Sequence, residues 1–525
     1  MHGRINDLAS LTPCGEVGGG KIPDRGRCLC RKPTILGIFF RFNTHPNMAK
    51  RKRSADGETA DTRSSFIGKK AKATDSIQEA TMSPSTIIQI VAGSYNKVLH
   101  GITATLSADN SVEFADTFLF NAHASAIRCL GLSPPSAPVR GQGQKIILAS
   151  GSTDERINLY HLSAHPPRKS KKPILPSLTS KAVSEDPQNR ELGALLHHSS
   201  SVTALHFPTR SKLLSSAEDS TIAVTRTRDW SLLSIIKAPI PKPQGRPSGD
   251  TAPPGGTPSG INDFAVHPSL KLMISVGKGE KCMRLWNLVT GKKAGVLNFG
   301  REILIEMEEG RLGSGEGRKV AWGITEAGEE FCVGFEWGIL VFGMDSKPKC
   351  KVLPEPRTKI HQLCYISTSE ENDTSVLAVS TEDGRILVYS TSPEDLISTP
   401  AAEGKESPLP SAKLTAYIGG REAGITGRIK DFTVIKIEEG QTGNLAIVGG
   451  SSDGSIRLWK LSAGDLISQE QKGANQVGHF LGAYETGNRI TCLKAFLMLQ
   501  RAEGDEYELE EEVAEVEESS SSDSE

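Results

Sequence analysis

Seven imperfect copies of a strand–turn–strand pattern, apolar residues on both faces of the second strand in several copies, and a further strand-like run beside most of them predict an all-β protein. The expected form is a seven-bladed β-propeller closed by a C-terminal strand, with disordered tails at both ends. The clearest copy is 448–461, VGGSSDGSIRLWKL. An Asp-Gly pair between two runs of β-formers signals a hairpin, because the turn needs residues that tolerate a left-handed backbone. Ile456, Leu458, Trp459 and Leu461 put apolar side chains on both faces of the second strand. A sheet solvated on one side would not carry them, so both faces must be covered.

The other copies follow in chain order. They are 91–104 (VAGSYNKVLHGITA), 150–162 (SGSTDERINLYHL), 215–225 (SSAEDSTIAVT), 275–288 (SVGKGEKCMRLWNL), 332–344 (CVGFEWGILVFGM) and 378–390 (AVSTEDGRILVYS). Upstream of six hairpins lie strand-like runs at 127–132, 202–207, 261–266, 319–323, 360–366 and 429–435. Downstream runs lie at 192–196, 232–236, 294–299 and 413–418. Each unit thus reads as a four-stranded antiparallel sheet, and such sheets repeated around a centre, each covering its neighbours, form a propeller. The first hairpin has no upstream strand, whereas 489–497 (RITCLKAFL) follows the last unit without a partner. Placed in the first blade, it completes seven sheets and removes an open edge that would invite aggregation. The domain is therefore expected over 85–498.

The repeats resemble WD40 repeats. The LWN of 285–287 and LWK of 458–460 occupy the place of that family's Trp-Asp, and His123 and His198 the place of its Gly-His. The resemblance implies a hydrogen-bonded set of Ser, turn Asp, His and Trp within a blade. Blade 2 offers His123, Ser150, Asp154 and Tyr160. Blade 3 offers His198, Ser215 and Asp219, with Thr225 at the aromatic position. Blade 4 has Trp286, blade 6 has Asp383 with Tyr389, and blade 7 has Asp453 with Trp459.

The net charge of −1 conceals segregation. Residues 1–84 form a basic extension with two clusters, Lys50, Arg51, Lys52 and Arg53, then Lys69, Lys70 and Lys72. This spacing reads as a nuclear import signal or a nucleic-acid patch. Met48 before Ala-Lys-Arg-Lys-Arg also looks like a translation start, which would make 1–47 an extension absent from the mature protein. Residues 499–525 are an acidic tail that cannot bury enough apolar surface to fold; it either solubilises or attracts basic partners, and 519–525 is an acidophilic phosphorylation context. Spacings above the roughly 40–45 residues of a lean repeat are absorbed by inserted loops at about 163–190, 239–259, 392–411 and 462–476. Arg168, Lys169, Lys171 and Lys172 in the first are either a contact for RNA phosphate or a partner, or a solvated loop.

Nine cysteines without a paired CxxC spacing indicate buried thiols in a reducing compartment, and the lone CLC at 28–30 is no zinc site. No run approaches the roughly 18–20 apolar residues of a membrane helix. Glycine-rich 310–319 lacks the GK[ST] ending that serves phosphate and Mg²⁺, and neither GxSxG nor HExxH occurs. No enzyme, cofactor, metal or membrane partner is expected.

The stretches AGSYNKVLHGIT, ELGALLHHSSSVTALHF and INDFAVHPSLKLMISVGKGEKCMRLWNLVTGKKAG, with RDWSLLSIIKAP at 228–239, resemble the p21-activated kinase-interacting protein 1 family, whose fungal members are the maintenance-of-killer WD40 proteins. The resemblance implies a nucleolar scaffold in assembly of the large (60S) ribosomal subunit and pre-rRNA maturation. It would be a monomer within a complex, meeting pre-60S particle proteins and pre-rRNA. The alternative that it implies is a negative regulator that binds a p21-activated kinase.

Overall fold

Asp residues at four hairpin turns set the blade geometry. The residue after each takes a left-handed backbone: Glu155 (φ 69°), Ser220 (φ 61°), Gly384 (φ 82°) and Gly454 (φ 98°). Each Asp carboxylate accepts from the backbone N–H two residues on, at 3.1 Å for Asp154 and Arg156, 2.9 Å for Asp219 and Thr221, 3.3 Å for Asp383 and Arg385, and 2.9 Å for Asp453 and Ser455. Such side-chain bonding holds a turn without help from the ladder. At Gly454 space is limiting too, because a Cβ there would lie 2.8 Å from the carbonyl oxygen of Asn488.

The structure, a computed structural model, describes residues 86–500 apart from 108, 141, 168–185, 187, 241–258, 308, 310–313, 369–374, 399–407, 438–442 and 468–474. The described strands form seven antiparallel sheets in a seven-bladed propeller. From the axis outward, blade 1 is Ile490–Leu497, Thr86–Ser94, Val98–Leu106 and Val112–Asn121. Blade 2 is Ile127–Leu132, Lys145–Ser152, Ile157–Ser163 and Arg190–Leu195, and blade 3 is Val202–Thr209, Lys212–Ala217, Thr221–Arg226 and Leu232–Lys237. Blade 4 runs Ile261–Val266, Leu272–Gly277, Cys282–Asn287 and Lys292–Asn298, and blade 5 runs Lys319–Thr325, Gly328–Gly334, Ile339–Gly343 and Pro348–Val352. Blade 6 holds Ile360–Ser367, Ser375–Thr381, Arg385–Ser390 and Lys413–Gly419, and blade 7 holds Ile429–Ile437, Asn444–Ser451, Ser455–Ser462 and His479–Glu485.

Seven hydrophobic clusters lie between adjacent blades. Val448, Ile456 and Leu458 of blade 7 pack on Ile88, Ile90 and Leu493 of blade 1, while Ile447, Trp459 and Leu461 on the other face of blade 7 pack on Ala378, Ile386 and Val388 of blade 6. That is why the second hairpin strand is apolar on both sides. At roughly 25 cal/mol per Å² of apolar surface removed from water, these clusters are the main force holding blade to blade.

The C-terminal strand closes the ring. Ile490–Leu497 pairs antiparallel with Thr86–Ser94, in register from Ile88 with Leu497 to Gly93 with Cys492. The backbone N–H of Met498 donates to Ile87 O at 2.8 Å, and that of Tyr95 to Arg489 O at 2.8 Å. Every inner strand runs from an upper rim, where the hairpin turns lie, to a lower rim.

Some features go beyond the sequence expectation. A short helix, α1 (Arg301–Glu306), follows blade 4 and buries Leu304 against the core shared with blade 5. The insertion read as a loop at 462–476 contains a 3-10 turn at Ala463–Leu466, capped by Ser462, and a short strand, Asn475–Gln476, which pairs parallel with the outer strand of blade 6.

Candidate functional site

Blades 2 and 3 bring His, Ser and Asp together. His123 Nε2 lies 2.8 Å from Ser150 Oγ and its Nδ1 3.1 Å from Asp154 Oδ2, which also accepts from the Ala124 backbone N–H at 3.0 Å. His198 repeats the arrangement, with Ser215 Oγ at 2.8 Å, Asp219 Oδ2 at 3.1 Å, and Ser199 N–H donating to Asp219 at 3.2 Å. Burial holds the His123 imidazole below its usual range. Burial alone would raise Asp219, but hydrogen bonds from His198 and Thr221 hold it at about 2. A neutral imidazole beside an ionised carboxylate must donate through Nδ1 and accept the serine proton at Nε2. Ser150 and Ser215 are 0% and 1% exposed, so each set lies inside its blade, out of reach of a substrate, and serves as a structural clamp.

The other motif residues divide. Tyr160 is buried next to Ser150, and burial pushes its phenol up to about 12. Trp286 Nε1 donates to Ser275 Oγ at 2.8 Å, a Ser–Trp pair of which only Trp286 stood out in the sequence. Thr225, at the aromatic position of blade 3, keeps a buried hydroxyl with no hydrogen-bond partner. Asp383 bonds Arg385 Nε at 2.7 Å, and Asp453 bonds the Ser455 hydroxyl at 2.7 Å, so both cap turns. Tyr389 and Trp459 are buried in the interblade clusters. The basic residues Lys50, Arg51, Lys52, Arg53, Lys69, Lys70, Lys72, Arg168, Lys169, Lys171 and Lys172 lie outside the described residues.

A cavity of about 840 Å³ runs along the axis. Two acids, the buried Asp431 and the half-buried Asp263, anchor its wall. Asp431 accepts from Gln362 Nε2 at 3.0 Å and from Leu493 N–H at 2.9 Å, with Lys494 Nζ at 3.9 Å; Asp263 faces Lys319 at 3.7 Å. These charges staple inner strands to one another. Among the described residues no group of three or more His, Cys, Asp or Glu could hold a metal ion. Burial pushes the Cys129, Cys350 and Cys364 thiols up to about 12, so none supplies a thiolate at neutral pH.

The upper rim is built differently. Cations stand at the starts of five inner strands: Arg128, Arg318, Lys359, Lys430 and Arg489. Acids in the hairpin turns bridge some of them. Glu218 meets Arg128 at 2.9 Å and Lys278 at 3.3 Å, Glu336 meets Arg318 at 3.0 Å and Lys359 at 2.8 Å, and Glu382 meets Arg428 at 3.0 Å. Burial and the neighbouring Arg428 bring Lys430 down to about 8, with His361 Nδ1 3.4 Å away. Arg357 and Lys359 lie over the Trp337 ring at 4.7 and 5.3 Å, and Arg489 over Tyr95 at 5.5 Å. Cations held on aromatic faces are pre-positioned for anionic or planar partners. None of this was legible locally, since the ring joins residues from separate blades.

Sheet geometry, interblade cores and the His–Ser–Asp clamp define a seven-bladed β-propeller whose blades are similar to WD40 repeats. A family model described as "WD domain, G-beta repeat" matches residues 189–224, the stretch that holds His198, Ser215 and Asp219. Along most of its length the chain is similar to a "p21-activated protein kinase-interacting protein 1-like" protein of Xenopus laevis, 24% identical over 78% of this chain and 82% of the relative. It is likewise similar to "Protein MAK11" of Saccharomyces cerevisiae, 26% identical over 77% of this chain and 82% of the relative, and to "Shk1 kinase-binding protein 15" of Schizosaccharomyces pombe, 22% identical over 78% and 85%. Two of these relatives are named for interacting with or binding a kinase.

Proposed function

We propose that the chain is a non-enzymatic scaffold in nucleolar assembly of the large (60S) ribosomal subunit and in pre-rRNA maturation. The observation that carries this reading is the upper rim, where cations of several blades encircle the channel and stack on Trp337 and Tyr95. Clustered cations gain affinity for RNA by releasing its counterions, and exposed rings offer platforms for bases. A rigid ring with such a rim holds a ribonucleoprotein surface in register. Similarity to Protein MAK11 supports the reading, because the family that the stretch at 228–239 resembles includes the fungal maintenance-of-killer WD40 proteins. Nuclear and nucleolar residence belongs to the same proposal, with the basic clusters at 50–53 and 69–72 as the import signal.

Gradient sedimentation of tagged full-length protein from cell extract, with mass spectrometry and RNA analysis of the peak, tests it. Co-migration with large-subunit precursors, lost when Trp337→Ala and Arg489→Ala are combined, is the expected result. Migration as a small RNA-free species would overturn it.

A second reading is favoured by the names of two relatives, one kinase-interacting and one kinase-binding. In it the propeller occupies the regulatory segment of a p21-activated kinase and restrains it. Inhibition of a purified kinase by micromolar or lower propeller would support that role.

A further inference from the structure

The outer strand of blade 3 is an unusual edge. Outer strands expose unpaired backbone groups, and soluble proteins guard them with charge, proline or a covering segment. Blade 2 begins its outer strand with Arg190 and Glu191, blade 4 with Lys292 and Lys293, and blade 5 places Pro348, Lys349 and Lys351 there. The outer strand of blade 6 is covered by Asn475–Gln476. Leu232–Lys237 reads LLSIIK, with one charge at its last position, and leaves Leu232, Leu233 and Ile235 40%, 41% and 41% exposed.

We propose that the acidic C-terminal segment of this same chain, from about residue 505 to 514, docks on this edge as a fifth, parallel strand. The end of the described chain points there. Leu499 N–H donates to Ala164 O at 2.7 Å on the lower rim of blade 2, and Ala164 N–H donates to Gln144 O at 2.9 Å. The next carbonyl, Lys145 O, accepts from Arg210 Nη1 of blade 3 at 2.7 Å, and Arg210 O accepts from Thr227 Oγ1 at 2.7 Å. Thr227 opens the turn that leads into Leu232. Four hydrogen bonds therefore connect the exit of the chain to the lower end of this edge, which no strand covers among the described residues. The seven residues after Gln500, Arg501 to Tyr507, span up to roughly 23 Å when extended.

Charge and pattern agree. Residues 226–237 hold Arg226, Arg228 and Lys237 against the single acid Asp229, and Lys145 and Arg210 line the route. The tail reads DEYELEEEVA at 505–514; an extended strand would place Tyr507, Leu509 and Val513, with Glu511 between the last two, on one face and Glu506, Glu508, Glu510 and Glu512 on the other. The apolar face would cover Leu233 and Ile235, while the backbone pairs as in β-augmentation. Leaving the lower rim, the tail runs in the same direction as Leu232–Lys237, as Asn475–Gln476 does on blade 6.

Hydrogen exchange compared between the full chain and a chain ending at Gln500 tests the proposal. Peptides covering Leu232–Lys237 should exchange about tenfold slower in the full chain, the mark of a newly protected ladder. A synthetic peptide of residues 503–518 added to the shortened chain should restore the slow rate, and Tyr507→Lys with Leu509→Lys in the full chain should abolish it. Equal exchange in full and shortened chains would overturn the proposal. Concentration-dependent protection with a shift to dimer, independent of the tail, would assign the edge to a second copy and overturn it as well.

Discussion

The carboxylate of Asp431 accepts a hydrogen bond from the backbone N–H of Leu493 at 2.9 Å, which ties blade 7 to the closing strand of blade 1. Its other oxygen takes Gln362 of blade 6 at 3.0 Å and the Phe432 N–H at 3.0 Å. One side chain, 5% exposed, thus serves three blades. Asp431→Ala leaves the N–H groups of the buried Leu493 and Phe432 without this acceptor and removes the carboxylate that Gln362 and Lys494 face. The expected loss is about 3 kcal/mol, seen as a lower urea midpoint at unchanged m-value.

Deleting 489–497 should act more strongly. It removes the inner strand of blade 1 and bares Thr86–Ser94, together with the Leu493 side chain's place in the cluster shared with blade 7. The thermal midpoint should fall sharply. An unchanged midpoint would show that the strand does not latch the ring.

Acid should unfold the protein through its buried imidazoles. Burial and the cations Lys430 and Arg428 push His361 down to about 3, and burial lowers His123, His161 and His197. The unfolded chain takes up these protons below about pH 6.5, whereas folded His361 resists until about pH 3. Its contribution is therefore complete above pH 6.5 and is lost as pH falls towards 3. Stability measured across that window should fall less steeply in His361→Gln than in the parent.

Thr225 offers the opposite sign. Its hydroxyl is buried without a partner where an indole stands in a full motif. Thr225→Val keeps the shape and removes the orphan, so denaturation should show a gain of about 1 kcal/mol. A loss would mean that the hydroxyl is bonded after all.

Legibility in the sequence followed burial. Hairpins such as 448–461 announce themselves because both faces are buried, and RITCLKAFL stood out for the same reason. Two outer strands, Val112–Asn121 and His479–Glu485, mix exposed and half-buried residues without a sustained period, and a third, Pro348–Val352, is only five residues long and opens on a proline, so none of the three stands out in the sequence. Asn475–Gln476 is held by a neighbour's backbone, for which its side chains give no cue. The Ser–His–Asp clamps were readable because their members lie 17 to 31 residues apart within one blade. By contrast, Trp337 with Arg357, Arg489 with Tyr95, and Asp431 with Leu493 depend on closure of the ring, which brings distant positions together.

Closure by the last strand also bears on how the protein is made. Translation delivers Thr86–Ser94 early, yet its inner partner Ile490–Leu497 emerges only at the end. At 5–20 residues per second, synthesis of the roughly 400 intervening residues takes on the order of 20 to 80 s. Throughout that interval the nascent chain carries one sheet with an open inner edge. The protein therefore passes through a vulnerable stage in which its own fold does not yet cover the inner edge of Thr86–Ser94.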